Sequence, residues 1–390
     1  MTINLPPDKR SAVAQRVATL LQCQCCKIRI FASLLGTLVS VCPATEYGWL
    51  YTKALERNKW RALIASGNNY EAEMTISAES RMELQWWSQT LPNTSAPIHR
   101  PHFSVVIFTD ASRSGWGAVS GDDRVHGHWS EDEKRHHINY LELLAIFLAL
   151  KHFGQHLSDC AILLRVDNTT AIAYINKMGG VRYPHLDHLA KEIWQWAEQK
   201  RLWLFASYIK SADNFAADAE SRRTESSSEW SLSDQAFATI VQRFGHPDID
   251  LFASRTNAKC RQFVSWHPDP DAVEVDAFTI NWSNFSFYAF PPFILILSVL
   301  QKIVTDCAEG LVVVPFWPTQ PWYPRFLSML RSEPMYLTPH QTLLSLGGRP
   351  HPMWKTLILV VGRLSGKVSV DEEVLKLRSP SSCLPSENQP

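Results

Sequence analysis

Four acidic side chains carry the chemistry that this sequence can do. Asp110 follows the β-branched run Val105-Val106-Ile107-Phe108-Thr109, and Asp167 follows Ala161 to Val166. Glu142 lies inside Asn139 to Phe153, and Asp218 closes Asn214-Phe215-Ala216-Ala217-Asp218. One acid at a strand end is ordinary turn chemistry. Four acids in the order strand, helix, strand, helix are far more specific. Gathered at one point, they repel and raise one another's pKa values. A divalent cation relieves that cost, and hard oxygen ligands suit magnesium or manganese. Two such ions about 4 Å apart activate a water and stabilise the leaving oxygen of a phosphodiester.

The elements that must position these acids are readable from hydrophobic periodicity. Val105 to Phe108 reads as a buried strand ending in the turn cluster Thr109-Asp110-Ala111-Ser112. Gly115 to Val119 and Val125 to Trp129 read as two further strands, the latter antiparallel to its neighbours. Leu141, Leu144, Ala145, Leu148 and Ala149 share one helical face, with Glu142 beside it. Ala161 to Val166 is a strand followed by Asn168-Thr169-Thr170, a good helix N-cap. A helix over Leu186 to Lys200, a strand over Leu202 to Tyr208 and a short helix at Asp218 complete the unit.

This order and these residues resemble the ribonuclease H domain of retroelement reverse transcriptases. Thr109-Asp110-Ala111-Ser112 with Gly115-Trp116-Gly117 is similar to the strand and hairpin of the first acid. Tyr140-Leu141-Glu142-Leu143-Leu144-Ala145 is similar to the helix of the second. Val166-Asp167-Asn168-Thr169-Thr170-Ala171, Tyr174-Ile175-Asn176-Lys177 and Gly179-Gly180 resemble the third. Asn214-Phe215-Ala216-Ala217-Asp218 with Ser221-Arg222 resembles the fourth. The wording from Asp167 to Gly180 is nearest to DIRS-type retrotransposons. The resemblance implies a mixed five-stranded sheet with helices and cleavage of the RNA strand of an RNA–DNA hybrid. It also implies two magnesium ions, or manganese, held by Asp110, Glu142, Asp167 and Asp218, with Asp110 bridging them. Ser112, Asn168, Thr169, Lys177, Gly179, Gly180 and Arg182 are the expected nucleic-acid contacts, with Lys134-Arg135-His136-His137 nearby. Lysine and arginine beside glycine amides suit phosphate tracking without base readout. There is one departure. Many relatives end the strand before the last acid in a histidine, and here the residues are Tyr208-Ile209-Lys210-Ser211.

The chain has 390 residues, room for two or three domains, and its 38 basic and 38 acidic side chains cancel. Any nucleic-acid surface must therefore be local rather than a matter of net charge. No signal peptide is evident, and the apolar runs at residues 28–41 and 290–300 are too short or too interrupted to span a bilayer. An intracellular chain, in cytoplasm or nucleus, is expected. Eight cysteines without repeated spacing suggest reduced thiols, and Cys23, Cys25 and Cys26 have no partner pair at zinc spacing.

Residues 1–91 read as helices: one from Asp8, one over Ile28 to Val41, one over Glu46 to Arg57 and one over Glu71 to Leu91. Their wording resembles the thumb and connection that follow the polymerase palm in the same elements. Trp86-Trp87 is expected to pack this region against the nuclease. No Tyr-x-Asp-Asp turn is present, so DNA synthesis by this chain alone is not expected. Residues 92–102 and 224–233 read as linkers bounding a nuclease domain at 103–223. Residues 234–364 alternate strands and helices, an α/β pattern, and 365–390 read as a disordered tail. Phe290-Pro291-Pro292-Phe293 is similar to the Asn/Asp-Pro-Pro-Tyr/Phe motif of a methyltransferase-like domain that DIRS-type elements carry here. Phe290 cannot hydrogen-bond an adenine amino group, and Asp250-Leu251-Phe252-Ala253 is a poor cofactor loop, so this α/β domain is expected to be inactive. Trp266, Trp282, Tyr288, Trp317 and Trp322 are expected in its core. The whole reads as part of a retrotransposon polyprotein, with other element-encoded proteins as expected partners. The competing reading is a decayed or co-opted fragment that only binds nucleic acid.

Overall fold

One helix is apolar on every side, and the first half of the molecule is built around it. The computed structural model describes residues 1–98, 102–222, 230–346 and 349–367. Parts of both expected linkers and nearly all of the expected tail lie outside the described residues. The chain divides into two compact units, residues 1–223 and 224–390.

The first unit opens with helices α1 (Pro7–Leu21), α2 (Ile28–Val41), α3 (Lys53–Ala65) and α4 (Ala78–Thr90). Two boundaries differ from the sequence expectation. The helix expected from Glu46 begins at Lys53, because Tyr47 takes a positive φ of 60° that no continuing helix tolerates. The helix expected from Glu71 begins at Ala78, because Glu73–Thr75 pairs as a strand with Cys25–Lys27. Part of the expected first linker is ordered too, with Ser95–Pro97 paired antiparallel to Thr2–Asn4.

There follow β1 (Val105–Ala111), β2 (Gly115–Ser120), β3 (Asp123–His128), α5 (Ile138–Phe153), β4 (Ala161–Val166), α6 (Thr169–Asn176), α7 (Pro184–Gln199), β5 (Trp203–Tyr208) and α8 (Phe215–Ser221). The sheet runs β3-β2-β1-β4-β5, antiparallel across its first three strands and parallel from β1 onward. This is a mixed sheet with helices, as the sequence led us to expect. α5 buries Leu141, Leu143, Leu144, Ala145, Ile146, Leu148, Ala149 and Leu150 against the sheet, α6 and α7. A helix apolar all round must lie inside the protein. That is why Glu142, one residue into its apolar run, is only 5% exposed. Gly117 is required by a close approach. A Cβ there would meet the Ala217 carbonyl at 2.6 Å and the Ser221 amide, so α8 lies directly on β2.

The N-terminal helices share one hydrophobic core with this sheet. Trp87 is fully buried and donates Nε1–H to the Tyr51 carbonyl at 2.9 Å, while Trp86 stacks on Tyr51 at 3.9 Å. The Tyr47 hydroxyl donates to the Leu202 carbonyl at 3.0 Å. Arg57 on α3 forms a buried ion pair with Asp187 on α7. Glu83 on α4 takes Lys191 at 3.2 Å and the amides of Ala54 and Leu55. Tyr47, Tyr51, Trp86 and Trp87 therefore serve packing, the ordinary use of large rings.

The second unit contains α9 (Asp234–Phe244), β6 (Ile249–Asp250), β7 (Gln262–Ser265), β8 (Glu274–Val275), β9 (Ser286–Ala289), α10 (Ile296–Thr305), β10 (Glu309–Pro315), α11 (Tyr323–Ser328), β11 (Met335–Leu337) and β12 (Leu359–Ser365). Its sheet order is β8-β7-β6-β9-β10-β12-β11. Counted in chain order within the unit, the strands lie third, second, first, fourth, fifth, seventh, sixth. The last in sequence, β12, pairs antiparallel with β10 and β11, and the other neighbouring pairs of this sheet are parallel. Trp282, Tyr288 and Trp322 are core residues as expected, but Trp266 is 53% exposed. No helix among the described residues is long and apolar enough to cross a membrane.

Candidate active site

The acids meet because of strand register. β1 and β4 pair in parallel with Phe108 opposite Arg165, so Asp110 and Asp167, two residues further along each strand, lie side by side. Glu142, in the second turn of α5, points at the same place. Ligand oxygens of Asp110, Glu142 and Asp167 all lie within 4.8 Å of one another. Among the described residues, no other group of three or more His, Cys, Asp or Glu is so disposed, so Cys23, Cys25 and Cys26 form no such cluster.

The fourth acid is held apart. Asp218 sits early in α8, its side chain 41% exposed, and receives Nε–H from Arg222 at 2.8 Å. It is near enough to push up the pKa of Asp110, yet outside the close trio. The expected quartet is thus three gathered acids and one at the rim.

Two serines orient the strand-end aspartates. Ser221 Oγ donates to Asp110 Oδ2 at 2.6 Å, and Ser211 Oγ donates to Asp167 Oδ2 at 2.5 Å. Ser211 stands in the turn after β5, three residues beyond Tyr208. No local sequence signal connects it to Asp167, which is 44 residues away. Asn214, 2% exposed, anchors the same loop by donating Nδ2–H to the Thr109 carbonyl at 2.9 Å.

Electrostatically the trio is under stress. Burial, then Asp110 and Asp167, push the Glu142 carboxyl up to about 9, against a single opposing backbone hydrogen bond from Ala111. Burial also raises Asp110. Ser221 counters this, and Asp167 and Asp218 add to it. Glu142 Oε2, Thr109 Oγ1 and Asn214 Oδ1 are buried with no hydrogen-bond partner among the described residues. A buried carboxylate oxygen with no donor, beside two further carboxylates, fits a hard divalent cation.

The expected nucleic-acid contacts divide into two sets. Lys177 ends α6 in an exposed position, and Arg182 is exposed with its guanidinium 5.3 Å from the Tyr183 ring centre. Thr169 opens α6. The others serve the fold. Ser112 Oγ donates to the Ser221 carbonyl at 2.6 Å. Asn168 caps α6, accepting from the Thr170 and Ala171 amides, and donates Nδ2–H to Asn139 at 3.0 Å. Gly179 has φ of 111° and abuts Asp187, and Gly180 N–H donates to Asp187 Oδ1 at 2.9 Å. The glycine amides expected to meet phosphate are therefore partly committed to α7.

In the second unit, Phe290 and Phe293 follow β9, with Phe293 against Trp317 at 5.2 Å. Asp250 accepts from the amides of Phe252 and Lys259 at 3.2 and 3.0 Å. Phe252 packs against Phe278 and Trp282 at 5.9 and 6.2 Å. The segment after β6 has no glycine between Asp250 and Cys260. Packed rings stand there, with no glycine among them.

No family model matches the chain. The enzymatic polyproteins of Cauliflower mosaic virus strains D/H and Strasbourg are 28% identical over 142 residues, 32% of this chain and 20% of theirs. The chain spans about a fifth of the length of these curated relatives. Similar solved structures include ribonuclease H1 from the halophilic archaeon Halobacterium salinarum, at 23% identity and TM-score 0.25, covering 30% of this chain and 92% of that one. LC11 ribonuclease H1 in complex with RNA/DNA hybrid is similar at 21% identity and TM-score 0.26, covering 30% and 93%. The foamy viral protease-reverse transcriptase in complex with RNA/DNA hybrid is similar at 11% identity and TM-score 0.21, covering 52% and 27%.

Proposed function

We propose that residues 103–222 hydrolyse the RNA strand of RNA–DNA hybrids in a divalent-metal-dependent reaction, as part of a retroelement reverse transcriptase polyprotein. The observation that carries this reading is the trio Asp110, Glu142 and Asp167, with Glu142 Oε2 buried and lacking a donor. These three acids would hold magnesium or manganese, with Asp218 completing the set from the rim. When bound, such ions activate water and offset charge on the leaving oxygen.

The protein's own residues do the positioning. Ser221 and Ser211 each hold one carboxylate oxygen, of Asp110 and Asp167 respectively, by a hydrogen bond. The all-apolar surroundings of α5 keep bulk water from the far side of Glu142. Arg222 restrains Asp218 and supplies positive charge at the rim, where a phosphate approaches. Lys177 and Arg182 stand on the exposed surface beyond α6, placed to follow a backbone.

Incubation of the purified chain with end-labelled hybrid and magnesium tests this. Wild type is expected to cut the RNA strand, and Asp110→Asn to lose at least about a hundredfold in rate. Equal cutting by both would remove Asp110 from the site. No cutting by folded wild type, with magnesium or manganese, would favour a fragment that only binds nucleic acid.

The second unit we read as a methyltransferase-like fold that takes no nucleoside cofactor. What supports this is its strand order, together with Phe290 in place of a polar anchor and the rings packed around Phe252. Titration calorimetry with S-adenosylmethionine is expected to give no binding heat, and saturable binding would end this reading.

A further inference from the structure

Beside the acid trio lies a run of exposed rings that the proposed reaction does not use. His136 stacks on Tyr140 with centroids 4.1 Å apart and planes 24° off parallel. Tyr140 lies 6.2 Å from His185, and His185 lies 6.2 Å from Tyr183. The Arg182 guanidinium covers the Tyr183 ring at 5.3 Å. His136, Arg182, Tyr183 and His185 are exposed, and Tyr140 is half-buried. The run thus crosses from the turn before α5, over the first turn of α5, to the first turn of α7.

The strip is tied to the acids. Asn139, next to Tyr140, accepts from Asn168, the residue after Asp167. Arg113 donates Nη1–H to the His136 carbonyl at 3.1 Å, bringing a further exposed cation to one end. Burial raises the Tyr140 pKa, and of the neighbouring acids Glu192 and Glu133 are close enough to add to it. Glu133 accepts from the Ser130 amide, Glu192 lies 3.3 Å from His188 Nε2, and Asp187 pairs with Arg57.

Planar side chains with polar edges, flanked by arginines, suit bases and phosphates better than an aliphatic protein surface. Bases inside a duplex have both faces covered by their neighbours. Only an unpaired nucleotide offers a free face for stacking. We propose that this strip binds the single-stranded tail that leaves the hybrid, stacking its unpaired bases on His136, Tyr140, His185 and Tyr183. The inference rests on the hybrid-binding reading above.

The test is fluorescence anisotropy with the full chain carrying Asp110→Asn, which prevents cutting during the measurement. Three probes are compared: a blunt hybrid, the same hybrid with a single-stranded tail, and one whose tail is abasic. The base-bearing tail is expected to tighten binding about tenfold, the scale of one or two stacked bases, and the abasic tail to add little. Tyr183→Ala with His185→Ala should erase the preference without changing affinity for the blunt hybrid, and Tyr183→Phe should keep it. Equal binding of all three probes, or a preference that survives the double alanine variant, would overturn the strip alone. Binding of none of the three would overturn the hybrid reading and the strip with it.

Discussion

Glu142→Gln is expected to cut magnesium-dependent cleavage by orders of magnitude and, in the same protein, to raise the stability of the metal-free state. The two effects have one cause. Glu142 is 5% exposed inside an apolar helix, one of its oxygens lacks a donor, and two carboxylates face it. Burial first, then Asp110 and Asp167, raise its pKa from 4.5 to about 9. The folded value lies above the unfolded one, so between these limits the native state holds a proton that the unfolded chain has released. Stability of the metal-free protein therefore falls as pH rises from about 4.5 to about 9, by up to about 1.4 kcal/mol per pH unit. It levels off above that window. Glutamine cannot ionise, so the variant should lack this slope and gain on the order of 1–3 kcal/mol at neutral pH. Magnesium should reverse the ranking, because an ion that binds only the native carboxylates stabilises wild type by mass action. Cleavage should drop by on the order of a thousandfold, typical of losing one preorganised group at a reacting centre. Urea melts with chelator and with magnesium, at several pH values, check this. A wild type with no pH slope and no magnesium stabilisation would sink the metal assignment.

Arg57→Met should cost about 3–5 kcal/mol, the usual penalty for stranding one partner of a buried ion pair. Asp187 is buried and is held by Arg57 and by the Gly180 amide. Without the guanidinium its carboxylate keeps the desolvation cost and loses the cation. Adding Asp187→Asn to the same chain should recover most of the loss, since the neutral amide still accepts from Gly180. Denaturant unfolding of the two variants decides this, and a loss under about 1 kcal/mol for the single change would show that the pair contributes little. The same pair joins α3 to α7, and Asp187 also holds the loop after α6 through the Gly180 amide. The single variant should therefore also weaken hybrid binding through Lys177 and Arg182, which that loop carries.

What the sequence determined by itself was the identity of the acids and the elements that carry them. Strand-end aspartates follow apolar strand runs, and a carboxylate within an apolar helix stands out, because both signals are local. The alternation of strands and helices in the second unit was local in the same sense. Only the tertiary structure decided how those pieces meet. Register between β1 and β4 brought Asp110 and Asp167 together, and the position of α8 left Asp218 at the rim with Arg222. Pairing of Glu73–Thr75 with Cys25–Lys27 shortened a helix that propensity alone would have extended. The burial of residues 1–91 against the sheet depends on Tyr47, Arg57, Glu83 and Trp86 finding partners far along the chain. In the second unit, β12 inserts antiparallel between β10 and β11, which no window of sequence announces. The division has a physical reason. Propensity and periodicity act over a few residues. Ion pairs, strand registers and the hydroxyl of Ser211 on Asp167 depend on side chains that the chain brings together only when it folds.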